Sequence, residues 1–264
     1  MFKTIGQVAA YKPLARCDLE ELAAHQRAIN PSGGILFARK PDGDEKIKAR
    51  QLVLDIFGAE NWGRPLNMLT MPGLHWRFER LLLAAREPGW MKRPRSRQTH
   101  FTGVENDRAI YYSAVAQMPG VETPNRLIKP VKRDGFPFAE MAYKTRFASF
   151  FFANVDDFLA HAWKPPAYRE EQRHGWDAAW LDYTGPLTVD RLKIIARFYQ
   201  AYVRDTMVVT TLKARYNKDT AASILRAGGH SEWLRKHLPG EVLHDIEYFD
   251  TSPMAQFAVR KVAS

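Results

Sequence analysis

The residues with the most evident chemical potential are cations set among aromatic rings. Lys92-Arg93-Pro94-Arg95-Ser96-Arg97 is the densest basic stretch of the chain. A second set, Arg126, Lys129, Lys132, Arg133, Lys144 and Arg146, shares its stretch with Phe136, Phe138 and Tyr143. Lysine and arginine hold phosphates and exposed rings stack bases, so this mixture suits a single-stranded or flipped nucleic acid. Lys92, Arg93, Arg95, Arg97, Lys132 and Arg133 are the candidate contacts. A solvated loop accounts for the same residues equally simply. The whole chain leans the same way: 39 Lys plus Arg against 29 Asp plus Glu give a net charge of +10. Such an excess fits a polyanionic partner, or ordinary solubilising charge.

Other chemistries find little support. Cys17 is the single cysteine, so an internal disulfide and a Cys-ligated zinc site are excluded. Its simplest role is that of a small apolar residue. The eight histidines are dispersed, without the helical pairing that a metal site uses. No Gly-x-Ser-x-Gly elbow and no phosphate-binding P-loop occurs. The first 26 residues lack the apolar stretch of a signal peptide, and no run reaches membrane-spanning length. The expectation is a cytoplasmic protein.

The elements that must position any site follow from periodicity. Residues 1–60 read as a small, mainly helical N-terminal extension. They contain one helix over 17–29 and another over 45–58, with Ile47, Leu52, Val53, Ile56 and Phe57 in near-helical spacing. From 61 to 264 strands and helices alternate. Strands are expected at 65–73, 99–107, 147–155, 177–185 and 206–214. Helices are expected at 74–89, 107–117, 156–163 and 186–204, the first packing through Trp76, Leu81 and Leu83. Residues 118–146, with their prolines, read as an insertion, and 164–175 as a loop. The aromatic run 147–155 fits a central strand covered on both faces. Two short glycine-capped helices precede strands 241–250 and 253–262. The turn between those strands is too short to cross a sheet, so they form an antiparallel hairpin. The expected fold is α/β: a doubly wound, mostly parallel seven-stranded sheet ending in that hairpin.

Five alternating strands followed by a terminal hairpin resemble the class I S-adenosylmethionine-dependent methyltransferases over roughly 65–262. The resemblance implies S-adenosylmethionine as cofactor. It also implies roles for particular residues. Glu105, closing the second strand in Gly103-Val104-Glu105-Asn106-Asp107, stands where family members keep an acid that takes both ribose hydroxyls. It could equally be an acid stabilising a helix N-terminus. Asn154 and Asp156, after the third strand, match the turn that contacts adenine, or else cap the next helix. Leu181-Asp182-Tyr183-Thr184-Gly185-Pro186 resembles the turn beside the transferred methyl in amino-methylating nucleic-acid enzymes. There Asp182 would accept amine protons and Tyr183 would stack the base. A plain strand-to-helix turn is the other reading.

The first-strand loop departs from the family. Met71, Pro72 and Gly73 occupy the place of a glycine-rich cofactor loop, with one glycine, and His75 and Trp76 would crowd the approach. Three functions therefore stand side by side. One is methyl transfer to nucleic acid, with a base amine as one target. Another is a catalytically silent protein that binds nucleic acid or a protein partner. The third is methyl transfer to a small molecule or protein.

Overall fold

The computed structural model describes residues 44–58, 66–72, 76–86, 99–115, 118–119, 129–130, 141–145, 147–161, 175–183, 185–213, 216–250 and 252–262. The expected helix at 17–29, Cys17, most of the insertion and most of the 164–175 loop lie outside them.

The helices are α1 (Asp44–Phe57), α2 (Arg77–Arg86), α3 (Arg108–Val115), α4 (Val155–His161), α5 (Val189–Tyr202), α6 (Lys218–Ala227) and α7 (His230–His237). The strands are β1 (Asn67–Thr70), β2 (His100–Glu105), β3 (Lys129–Pro130), β4 (Met141–Lys144), β5 (Ala148–Phe152), β6 (Trp176–Asp182), β7 (Val203–Leu212), β8 (Glu241–Phe249) and β9 (Pro253–Arg260). They hydrogen-bond in the order β3-β4-β5-β2-β1-β6-β7-β9-β8. The seven expected strands and the C-terminal hairpin are all present. Two short strands of the supposed insertion, β3 and β4, extend the sheet by antiparallel pairing onto β5. No described helix is long and apolar enough to cross a membrane.

The chain divides into two compact units. The first contains β2, β5 and helices α2 and α3. Here β2 and β5 run parallel, Phe101 opposite Ala148 and Glu105 opposite Phe152. All five residues of β5 are buried, as its unbroken apolar run requires. Above them sits an aromatic core. Tyr111 of α3 lies 4.6 Å from Phe150 and donates its hydroxyl hydrogen to the Phe150 carbonyl. Along α2 the buried leucines are Leu82 and Leu83, while Leu81, expected inside, is 54% exposed.

The second unit contains α1, β1 and everything from residue 159 onward. Strands β1, β6 and β7 are parallel, and β7, β9 and β8 are antiparallel. Helix α5 starts at an N-cap, Thr188, whose hydroxyl accepts the Arg191 N–H at 3.1 Å. It buries Leu192, Ile195, Phe198 and Tyr199, the face its spacing anticipates. Helix α1 packs against β8 and buries Ala49, Val53 and Phe57, one residue per turn. Ile47 and Leu52 point outward instead, and Lys46 pairs with Asp250 at 2.9 Å. Within the sheet, Thr210 joins two strands: its hydroxyl accepts from Trp180 Nε1 at 3.0 Å and from Gln256 Nε2 at 3.1 Å. Gly228 ends α6 in the left-handed region at φ 90°, its N–H and that of Gly229 closing on the last carbonyls of the helix.

Candidate functional site

In the first unit the candidate residues gather where β2 and β5 end. Glu105 is the last residue of β2, and its carbonyl accepts the Ala153 N–H just past β5 at 3.0 Å. That bond ties the Glu105 and Asn154 turns together. Glu105 Oε1 accepts the N–H groups of Asn106 at 2.8 Å and Asp107 at 2.7 Å. Glu105 Oε2 takes no hydrogen bond among the described residues. Burial pushes the Glu105 pKa up to about 7, against the pull of those two N–H groups and with a further push from Asp107. Its carboxylate is held through one oxygen.

Asp107, not Glu105, caps α3. Its Oδ1 accepts the Ile110 N–H at 3.0 Å in the first turn of α3.

Asn154 is a cap. Its Oδ1 accepts the N–H groups of Asp156 at 2.9 Å and Asp157 at 3.2 Å, opening α4. Asp156 lies in the first turn of that helix, half-buried, where a negative charge favours the helix dipole. Replacing Asn154 by alanine is expected to cost about 1 kcal/mol of stability, the usual worth of such a cap. Asn154→Asp keeps the acceptor and is expected to hold wild-type stability. Urea midpoints of the two variants check this; a loss for both would mean the amide N–H₂ group matters as well.

Pro72 and Trp76 flank the position of the first-strand loop, whose Gly73 and His75 lie outside the described residues. Trp76 is turned inward. It is fully buried, donates Nε1–H to the Ala114 carbonyl at 3.1 Å, and meets the Phe150 ring edge-on at 5.0 Å. Its backbone adopts φ 50°, a conformation uncommon for a bulky residue. Strain of that kind persists only where packing dictates it. Here the indole is turned into the core, against Gly103.

In the second unit Met71 follows β1, whose last residue, Thr70, pairs with Trp180 of β6. Asp182 closes β6, in register with Thr210. Tyr183 is buried, its N–H donates to the Thr210 carbonyl at 2.9 Å, and the Arg191 guanidinium sits 4.8 Å from its ring centroid. One ring face is thus covered by a cation. Sequence reasoning passed over Tyr248 of β8. Its hydroxyl pKa is pushed up first by burial and then by Asp182 and Asp250, with Arg50 pulling the other way. Asp182 therefore shares its surroundings with an aromatic from the hairpin, 66 residues away in sequence, a relation no local motif reveals. Lys92, Arg93, Arg95, Arg97, Lys132 and Arg133 lie outside the described residues.

Comparison with models of protein families finds no match, and comparison with curated proteins finds none. Solved structures do match. Magnesium protoporphyrin IX methyltransferase from Synechocystis, with bound S-adenosylmethionine, is 11% identical, with a TM-score of 0.50 over 91% of this chain and 97% of that one. The 1,6-didemethyltoxoflavin-N1-methyltransferase of Burkholderia thailandensis is 13% identical, with a TM-score of 0.46 over 97% and 94%. An N-methyltransferase from Bradyrhizobium japonicum is 10% identical, with a TM-score of 0.47 over 93% and 99%. Parallel strands in this order, closed by the antiparallel β8–β9 hairpin, give the chain the fold of the class I S-adenosylmethionine-dependent methyltransferases.

Proposed function

We propose that the protein transfers a methyl group from S-adenosylmethionine to an acceptor. The observation that carries the reading is Glu105: an acid at the end of β2 in this fold, with one oxygen tied to its own turn and the other without a hydrogen-bond partner among the described residues. A carboxylate oxygen so placed accepts ribose hydroxyls. The turns at Pro72, Asn154 and Asp156 would supply the remaining walls for the cofactor. The cofactor contributes a sulfonium-activated methyl; the protein contributes binding, orientation and an acceptor for the proton released, for which Asp182 is the candidate.

Nucleic acid is the acceptor favoured by the net charge of +10 and the basic stretches at 92–97 and 126–146. A small-molecule acceptor has an observation of its own in its favour. Tyr183, the ring that would stack a base, is buried and covered by Arg191. Isothermal titration with S-adenosylhomocysteine tests the shared part of both readings: saturable heat is expected, and its absence at high micromolar protein would refute them. Filter binding of a single-stranded oligonucleotide at low salt then separates the acceptors, since only the first reading expects retention that falls as salt rises.

A further inference from the structure

We infer that Thr210 and Thr211 of β7 are positioning residues, which together hold the Asp182–Tyr183 turn in one conformation before a methyl acceptor binds. The inference rests on the reading of that turn as the acceptor side of the methyl-transfer site. The turn runs from the end of β6 to the N-cap of α5 at Thr188. Chain that leaves a strand for a helix has no ladder of its own, so its backbone groups need other partners. Consecutive residues of a strand face opposite sides of the sheet. Thr210 and Thr211, 1% and 0% exposed, therefore reach the turn from opposite faces.

Thr210 brackets Asp182, its register partner on β6. Before Asp182, the Trp180 Nε1–H donates to the Thr210 hydroxyl at 3.0 Å. After it, the Tyr183 N–H donates to the Thr210 carbonyl at 2.9 Å. Gln256 of the C-terminal hairpin fixes the same hydroxyl, donating to it from Nε2 at 3.1 Å. Thr211 takes the far end of the turn. Its hydroxyl accepts the Leu187 N–H at 3.2 Å and has two carbonyls for its hydrogen, Gly185 at 3.3 Å and Leu212 at 3.5 Å. The nearer of the two lies in the turn. The Tyr216 hydroxyl is a further neighbour: burial raises its pKa to about 12, the bond with Thr211 draws it back and Glu247 adds to it.

Packing alone does not ask for threonine here. The two preceding residues, Val208 and Val209, are buried valines, and valine has the shape of threonine without the hydroxyl. A buried hydroxyl carries a desolvation cost that only its hydrogen bonds offset. Trp180, Gly185 and Leu187, which supply such bonds, all belong to the stretch 180–187. A turn fixed in advance spares a methyl acceptor the cost of ordering it.

Valine and serine variants separate positioning from packing. Thr210→Val and Thr211→Val keep the shape and delete the hydroxyl; Thr210→Ser and Thr211→Ser keep the hydroxyl and delete a buried methyl. Native-state hydrogen exchange of the ligand-free full chain is read by 15N–1H NMR. The Leu187 amide in Thr211→Val and the Trp180 indole N–H in Thr210→Val are each expected to exchange about tenfold faster, beyond any change in the amides of β2 and β5. The Trp180 indole resonance should also move in Thr210→Val and return in Thr210→Ser. In both serine variants exchange in the turn should only keep pace with β2 and β5. S-adenosylhomocysteine affinity should be unchanged in all four, since Glu105, Asn154 and Asp156 lie on other strands and turns. Equal acceleration of the turn and of β2 and β5 in the valine variants would overturn the inference, and so would serine variants that loosen the turn as much as valine does. Failure of either valine variant to fold would overturn it too, since the hydroxyl would then hold up the sheet itself. A wild type that does not bind S-adenosylhomocysteine would instead refute the methyl-transfer reading, while the exchange rates still decide whether the pair holds the turn.

Discussion

Replacing Gly103 by alanine is expected to destabilise the protein by at least about 1–3 kcal/mol, the range for inserting a methyl into a packed core. The added Cβ would stand 2.6 Å from Trp76 Cη2, 2.8 Å from Phe150 Cδ2 and 2.8 Å from Pro72 Cγ. None of these is the loose end of a flexible chain. Trp76 is pinned by its bond to the Ala114 carbonyl, Phe150 is wedged between Trp76 and Tyr111, and Pro72 is a buried ring. Something in β2, β5 or the first-strand loop must move. Urea unfolding measures the cost directly. In the Gly103→Ala background, Trp76→Leu is expected to recover part of the loss by removing the nearest ring atom. The two substitutions would then show a coupling energy of about 0.5–3 kcal/mol. A Gly103→Ala variant within about 0.5 kcal/mol of wild type would show that the rings yield cheaply.

That glycine also marks the limit of what the sequence discloses. Alternation of strands and helices is a property of runs, so it survives in one dimension. The parallel strands, the face of α5 and the hairpin all follow from it. Which way a single side chain turns does not. Trp76, two residues past a Pro-Gly pair plus one, reads as an obstacle at the loop, yet φ 50° swings it inward onto Gly103. Three consecutive leucines at 81–83 give no periodicity with which to choose among them, and the helix exposes the first. On α1 Ala49, which is not among the expected packing residues, is buried, while Ile47 and Leu52, which are, stand exposed.

Short and long-range features are hidden for different reasons. Strands β3 and β4, of two and four residues, are too brief to show an alternating pattern. The Trp180–Thr210–Gln256 chain links residues 30 and 46 positions apart, so each member alone reads as an ordinary strand residue. At the candidate site the residue types were legible, since acids and amides after strands are conspicuous. Their division of labour was not. Asn154 and Asp107 cap helices, while Glu105 accepts the two N–H groups of its own turn, and only the donors present in three dimensions distinguish these cases.

Glu105→Gln is expected to weaken S-adenosylhomocysteine binding by about 10–100-fold, the worth of hydrogen bonds to a charged acceptor. The substitution keeps an oxygen that can accept from Asn106 and Asp107, so the turn should survive. The same residue gives the wild type a pH signature. With a pKa raised to about 7, Glu105 is largely protonated at pH 6 and ionised at pH 8. If the ionised form binds the ribose, affinity should fall about tenfold from pH 8 to pH 6, and the profile of Glu105→Gln should be flat. Stability should move in the opposite sense. Between its ordinary 4.5 and about 7 the folded protein holds a proton that the unfolded chain has released, so wild-type stability falls as pH rises through that window. Above pH 7 the penalty is complete and Glu105→Gln should melt higher than the wild type; below pH 4.5 the advantage should vanish. Calorimetric titration and thermal melts across pH 4–8 check both. A variant that loses affinity and gains nothing in stability at high pH would show Glu105 to be a structural ion rather than an acid held in reserve for a ligand. A variant that gains stability without losing affinity would remove it from the binding site.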